Sequence, residues 1–310
     1  MFDEYGLHFT KIAQRLGPRL FHAHMGFEAA RWLAFVKKSG IPLITTFYGL
    51  DVSQFGKLDE WRDRYRDLFD YGTKFLAEGT FLKKQLVELG CPADKVIVQH
   101  LGVAVSTYPK KMFETKSNRS PIKILQVSSF REKKGIAYSL EAIAQVVKTV
   151  PHIEFRLVGR GDSAKADNAI ESKVEKLGIT PYVRLLGSKS HSETIQEMCD
   201  ADIFLHPSVV ASNGDNEGGA PVSIIEASAV GLPIVSTLHA DIPEVVKNGE
   251  TGWLVPERNS NLLAEKLMDL INHPEMRMSF GRLGRGHVAA EYEISIQIKK
   301  LEEIYSHVSR

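Results

Sequence analysis

Short runs of β-branched and apolar residues alternate with longer amphipathic stretches along almost the whole chain, and that alternation leaves few folds open. In the first part the strand-like runs are Leu20 to His24, Leu43 to Phe47, Lys74 to Ala77 and Val96 to His100. Helical stretches, Glu28 to Lys38 and Thr80 to Leu89, fall between them. Around Tyr108 to Pro121 the pattern lapses into polar and basic residues, which reads as a domain boundary. After it the strands are Ile124 to Ser128, Glu154 to Val158, Val183 to Leu186, Asp202 to His206, Pro233 to Ser236 and Trp253 to Val255. The intervening helices are Ile136 to Thr149, Asp167 to Leu177, Ser192 to Cys199, Ser223 to Val230 and Ser260 to Ile271. Strand and helix alternating at this spacing predict βαβ units, hence an α/β fold with a parallel sheet covered on both faces. Ligands of such sheets bind at the C-terminal ends of the strands, so chemistry is expected just after each strand.

With 310 residues, the chain can hold two such domains. A net charge of +1 gives no field to hold nucleic acid, so no nucleic-acid partner is expected. The two cysteines, Cys91 and Cys199, have no metal-ligand spacing and fit a reducing compartment. The first residues carry no basic segment followed by an apolar run, and no apolar stretch is long enough to span a bilayer. A cytoplasmic protein is the expectation.

The most informative stretch runs from Asn216 through Glu217, Gly218, Gly219, Ala220 and Pro221 to Val222, Ser223 and Glu226. It enters a helix whose first-turn amides, at Val222 and Ser223, are free to meet an anion such as a diphosphate. Pro221 suits the start of that helix, and the glycines let backbone approach a ligand closely. Glu217 could accept hydrogen bonds from sugar hydroxyls, and Glu226, flanked by Ile225 and Ala227, must be paired or bind a polar ligand. A surface charge at Glu217 and a local lysine partner for Glu226 are equally open readings of these residues alone. Directly after the strand ending at Ser128 come Ser129, Arg131, Lys133 and Lys134, cations well placed for phosphate or else merely a solvated turn. In the first part His22 and His24 share one strand face. No further ligand completes a metal site there, so a histidine lining a cleft is expected, with a core histidine as the competing reading. Tyr48 and Asp51 end the next strand at a similar level.

Taken in order, His22-Ala23-His24, Thr46 to Asp51, Lys95 to Val103, Lys134-Gly135, Leu157 to Gly161, Glu217-Gly218-Gly219 to Glu226-Ala227 and Gly231 to Val235 resemble glycosyltransferase family 4. These are retaining enzymes, and the chain is most similar to the colanic-acid and exopolysaccharide branch, which includes lipopolysaccharide enzymes. The resemblance implies a GT-B fold, two Rossmann-like domains facing a cleft, with the N-terminal domain incomplete because its opening strand and Gly-rich loop are missing. The implied domains are 1–115 on the acceptor side, 116–290 for the nucleotide sugar, and a helix at 291–310 returning to the first. The implied donor is a UDP- or GDP-linked sugar, and the acceptor a saccharide or lipid-linked saccharide. No other cofactor and no metal are expected. A lipid-linked acceptor would bring the protein to the inner face of the cell membrane.

By the same resemblance Lys134, with Arg131, Ser129 and the amides around Pro221, Val222 and Ser223, would hold the donor diphosphate. Glu217, with Gly218 and Gly219, would bind the donor sugar, Glu226 the ribose, and Gly187 and Ser188 would face the base. His24 and Glu217 would be the catalytic pair around the transferred sugar, with Tyr48 and Asp51 on the acceptor side. Three positions depart from the family pattern. Eight residues separate Glu217 from Glu226 where seven are usual, Ser128-Ser129 replaces Gly-Arg, and Tyr48 stands where histidine is frequent. The competing reading is a nucleotide-sugar-binding protein or partner subunit without turnover. A GT-B epimerase is disfavoured because the first half offers no acid–base carboxylate pair.

Overall fold

The computed structural model describes residues 12, 15–111 and 120–309. The chain divides into two compact units. One takes the described residues through Leu101 together with those from Ser295, and the other spans Gly102–Ile294. The expected boundary at 115/116 lies outside the described residues.

In the first unit β1 (Phe21–His24), α1 (Gly26–Ser39), β2 (Leu43–Phe47), α2 (Gly49–Ser53), α3 (Asp59–Tyr71), β3 (Lys74–Ala77), α4 (Thr80–Glu88) and β4 (Val96–Val98) follow in sequence. The four strands form one parallel sheet in the order β1-β2-β3-β4, with Phe21 opposite Leu43, Ile44 opposite Lys74 and Phe75 opposite Val96. All five residues of β2 are buried, as expected of a strand covered on both faces. Helices α2 and α3 are absent from the sequence reading. In α3 the charged residues mask a helical period: Trp61, Tyr65, Leu68 and Phe69 are the buried ones and pack with Phe47 and Phe75. Each such side chain contributes roughly 2 kcal/mol by leaving water.

The second unit continues with β5 (Ile122–Val127), α5 (Ile136–Val146), β6 (Ile153–Val158), α6 (Ala164–Lys176), β7 (Val183–Gly187), α7 (His191–Asp200) and β8 (Ile203–His206). Then come α8 (Val222–Val230), β9 (Ile234–Thr237), α9 (Ile242–Val245), β10 (Gly252–Val255), α10 (Ser260–Asn272) and α11 (Pro274–Glu291). Helices α9 and α11 are further elements that the sequence reading missed. The six parallel strands are ordered β10-β9-β8-β5-β6-β7. Period two sends Ile124 and Leu125 of β5 into separate cores, the first with Leu140 and Phe155, the second with Phe204 and Ile225. The chain builds outward from β5 through β6 and β7, then returns to the other side of β5 with β8. That reversal leaves a crevice beyond the ends of β5 and β8.

The final helix, α12 (Ile294–Val308), contributes its residues from Ser295 to the first unit. There the Gln99 side-chain amide donates to the Gln297 carbonyl (3.1 Å) and side-chain oxygen (2.9 Å).

Candidate functional site

Beyond the C-terminal ends of β5, β6 and β7, against the start of α8, lies a cavity of about 380 Å³. Its wall includes Ser128, Ser129 and Lys134 after β5, Gly159 after β6, Ser188 and Lys189 after β7, and Pro221, Val222 and Ser223 at the start of α8. No side chain caps α8, so its first amides and the positive end of its dipole are available to an anion. Two glycines fix the shape of this floor. A Cβ at Gly159, where φ is +134°, would lie 1.8 Å from the Ser128 carbonyl oxygen. One at Gly135, where φ is +65°, would lie 1.8 Å from that of Pro207.

Four consecutive residues of the turn after β5 bind the loop between β8 and α8. Arg131 reaches Asp215 (2.7 Å), and Glu132 accepts from the Ser212 amide (2.9 Å) and hydroxyl (2.6 Å). Lys133, itself buried, donates to the Asn216 carbonyl (2.7 Å) and Asp215 (3.3 Å). Lys134 holds both oxygens of Glu217, at 2.9 and 2.7 Å. Glu132–Lys134 form a single 3-10 turn, and the loop answers the four side chains with the carboxylates of Asp215 and Glu217, the Ser212 amide and hydroxyl and the Asn216 carbonyl.

Glu217 is the centre of this arrangement. Its side chain is 5% exposed and also accepts from the Ser208 hydroxyl at 2.7 Å. Burial alone would raise this carboxyl, but His206 and Lys134 outweigh it and hold Glu217 well below the usual carboxylate range. Lys134 is the partner within bonding distance. His206 Nε2, at 3.7 Å, is too far to bond and has no hydrogen-bond partner. Burial favours the neutral form of His206 and pushes the Lys133 ammonium down from its ordinary value. The Glu217 amide donates to His239 Nε2 (3.2 Å), which requires the His239 proton on Nδ1, facing Glu257 at 2.7 Å. Gly218, with φ +76°, donates its amide to the Asn216 side chain at 2.9 Å, a tight turn leading into Gly219 and α8.

Arg131 does not line the cavity; Asp215 engages its guanidinium, so its assignment to phosphate is not reproduced in this arrangement. Glu226 sits on α8 and accepts from the Tyr108 hydroxyl at 3.0 Å, with His191 at 3.6 Å. Burial, then the Glu226 charge, raises the Tyr108 phenol. Gly187 bonds the Gly159 amide through its carbonyl (2.9 Å) and borders a neighbouring cavity, whereas Ser188 lines the main one. Tyr108, His206, Ser208, Asp215 and His239 escaped the sequence reading. His206 and Ser208 could have been found by asking which residues end β8 or closely follow it.

In the first unit, His24 is exposed and its Nδ1 is 2.7 Å from the Tyr48 hydroxyl. His22 stacks on His24, ring centroids 4.5 Å apart, and its two nitrogens meet Tyr305 (2.6 Å) and Thr46 (2.7 Å). Asp51 is fully buried, its oxygens taking the amides of Gly26 (2.8 Å) and Tyr48 (2.9 Å). Its carboxylate is therefore committed to the local fold and not presented to an acceptor. Burial outweighs these bonds and raises it to about 7.

Burial, reinforced by His24, lowers His22 to about 4. A folded-state value below the unfolded one means that the unfolded chain binds the proton first. The stabilisation is complete above pH 6.5 and is lost as pH falls from there toward 4. The full shift corresponds to about 3 kcal/mol, and partial solvent access reduces it. Denaturant unfolding at pH 7 and pH 4.5 should show a smaller acid-induced loss in His22→Gln than in the parent chain. Equal losses would mean that other groups carry the acid sensitivity.

The model of the family described as "Glycosyl transferases group 1" matches residues 107–287, and that of "Glycosyltransferase Family 4" matches residues 4–107. The chain is 33% identical over 260 residues to "Putative colanic acid biosynthesis glycosyltransferase WcaL" of Escherichia coli, covering 83% of this chain and 62% of that one. It is 30% identical over 292 residues to "Amylovoran biosynthesis glycosyltransferase AmsK" of Erwinia amylovora, covering 94% and 70%. The chain thus spans about three fifths to seven tenths of these relatives' length. Among solved structures, Anabaena HepE in complex with UDP superposes with a TM-score of 0.84 at 16% identity, over 97% of this chain and 82% of that one. Fold, family models and relatives agree: the chain belongs to the glycosyl transferases group 1 family, with a family 4 segment on its N-terminal side and the GT-B fold.

Proposed function

We propose that this chain is a retaining glycosyltransferase that moves a hexose from a UDP- or GDP-linked sugar to a saccharide or lipid-linked saccharide in cell-surface polysaccharide synthesis. The observation that carries the reading is the convergence of Lys134 and the uncapped start of α8 on one cavity, with Glu217 beside them. The names of the relatives, both biosynthetic glycosyltransferases, support the polysaccharide context. That HepE was solved in complex with UDP supports a nucleotide diphosphate as part of the donor.

On this reading Lys134 exchanges part of its hold on Glu217 for the donor diphosphate, which the Val222 and Ser223 amides also meet. Glu217, thereby freed, accepts from sugar hydroxyls. Glu226 accepts from the ribose, with Tyr108 keeping its carboxylate in place. The bond from the anomeric carbon to the diphosphate breaks, and the acceptor oxygen bonds that carbon on the same face. The acceptor proton passes to a phosphate oxygen. The protein supplies position and positive charge. His24 and Tyr48 are assigned to the transferred sugar and acceptor. A lipid-linked acceptor would place this reaction at the inner face of the cell membrane.

The test adds UDP- and GDP-sugars one at a time, with saccharide acceptors, and follows thermal stability and free nucleotide diphosphate. One donor should raise the midpoint and release nucleotide, and Glu226→Ala should weaken its binding at least tenfold. Stabilisation without release would favour a nucleotide-sugar-binding protein. No response to any donor would overturn the assignment of the site.

A further inference from the structure

A second cavity, of 480 Å³, lies elsewhere in the second unit, between α11 and the segment around Lys110 and Lys111. Its lining includes the cations Lys110, Lys111, Arg282 and Arg285 and no carboxylate among the described residues. Arg285 binds the carbonyls of Ala229, Val105 and Tyr108, and Lys111 that of Cys199 at 2.9 Å. Neutral carbonyls fix the Arg285 charge without cancelling it. The plain structural reading is that Arg285 satisfies the last carbonyls of α8, and it accounts for that residue. It does not account for the rest of the face. Lys110 and Arg282 are exposed and make no hydrogen bond or ion pair among the described residues. Met278, one turn from Arg282 on the same helix, is 51% exposed. Gly286 lies two turns from Met278, and a Cβ there would meet nothing within 4 Å. Packing therefore does not demand glycine, although glycine weakens a helix interior.

We propose that this face of α11, with Lys110 and Lys111, docks on an anionic phospholipid bilayer. The cations would ring headgroup phosphates, the gap at Gly286 would admit one, and Met278 would enter the acyl boundary. With a net charge of only +1, the chain has no general attraction to such a surface, so binding must be local. No described helix is long and apolar enough to cross a membrane, so a peripheral contact is the kind this face can make. The proposal rests on the lipid-linked acceptor reading and gives it a place on the molecule.

Flotation of the intact chain with vesicles of phosphatidylglycerol and phosphatidylcholine, against phosphatidylcholine alone, tests it. The chain should float with the anionic vesicles alone, and less so at high salt. A basic residue near an anionic bilayer contributes roughly fivefold in partitioning. Lys110→Glu with Arg282→Glu should therefore lower binding at least tenfold, while Lys148→Glu with Lys299→Glu should change it less than threefold. Gly286→Leu, which keeps every charge and fills the gap, should lower it at least threefold. No variant should lower the thermal midpoint or change its response to donor, which separates this surface from the nucleotide site. Anionic-vesicle binding that survives both α11 variants would move the contact elsewhere and overturn the proposal. Absence of binding at low salt would overturn it together with the membrane visit. Release by millimolar inorganic phosphate at constant ionic strength would make the cavity a free-anion site instead.

Discussion

Lys134→Met is expected to cut nucleotide release by about three orders of magnitude, roughly 4 kcal/mol of transition-state stabilisation. The cavity has α8 amides and Lys134 on one wall, and Arg131 is already held by Asp215. Losing Lys134 removes one of the two lysine charges that line the cavity, the other being Lys189, which Glu197 holds at 3.2 Å. The same substitution harms the fold. Glu217, 5% exposed, would keep the Ser208 hydroxyl as its bonded partner, with His206 at 3.7 Å and the Lys133 ammonium at 3.9 Å beyond bonding distance. Leaving a buried carboxylate so poorly paired costs about 3 kcal/mol. The two losses separate in the double variant Lys134→Met with Glu217→Gln, which removes both charges. Its stability should return to within about 1 kcal/mol of the parent while its activity stays lost. Activity of Lys134→Met within tenfold of the parent would show that the diphosphate is neutralised elsewhere.

The largest expected loss of stability is at Gly159. Alanine there must tolerate a φ of +134° and a Cβ 1.8 Å from the backbone oxygen of Ser128. Strain of this kind costs about 1–3 kcal/mol before the contact is relieved, and relief must move β5 or β6. A total above about 3 kcal/mol is expected, with donor binding lost because Ser128 and Gly159 both line the cavity. Gly40→Ala is the control. Its φ is +68°, but nothing lies within 4 Å of the added carbon, so about 1 kcal/mol is expected. Denaturant midpoints compare the two. Equal costs would mean that backbone conformation alone, and not the close approach of β5, requires glycine at 159.

The sheets were largely legible in the sequence because buried parallel strands are short, continuous apolar runs. Leu43–Phe47 and Lys74–Ala77 fall where they were read, and the other strands differ by a residue or two at their ends. The missed helices failed for identifiable reasons. α3 hides four buried residues among charges, and α11 carries Gly281, Gly284 and Gly286, which lower its helical signal. At the site, Lys134 and the α8 amides follow from the rule that ligands meet strand ends. What was hidden is pairing at a distance. Arg131 reads as a free cation until Asp215, 84 residues on, is placed beside it. Asp51 reads as a ligand group until the fold puts the Gly26 amide on its oxygen. Tyr108 is silent until Glu226, 118 positions away, meets its hydroxyl.

The partnership of His22 with Tyr305 has a consequence for how the molecule comes into being. The two residues are 283 positions apart, whereas Lys134 and Glu217 are separated by 83. On a ribosome, the sheet made first must wait through the whole synthesis of the second unit before Tyr305 emerges. Closing so long a loop is slow but costs little extra free energy. Chains truncated after residue 294 should therefore carry the whole of the second unit's sequence while His22 still lacks the Tyr305 hydroxyl. Quality-control factors that survey emerging proteins would meet the N-terminal unit in its unfinished form for longest.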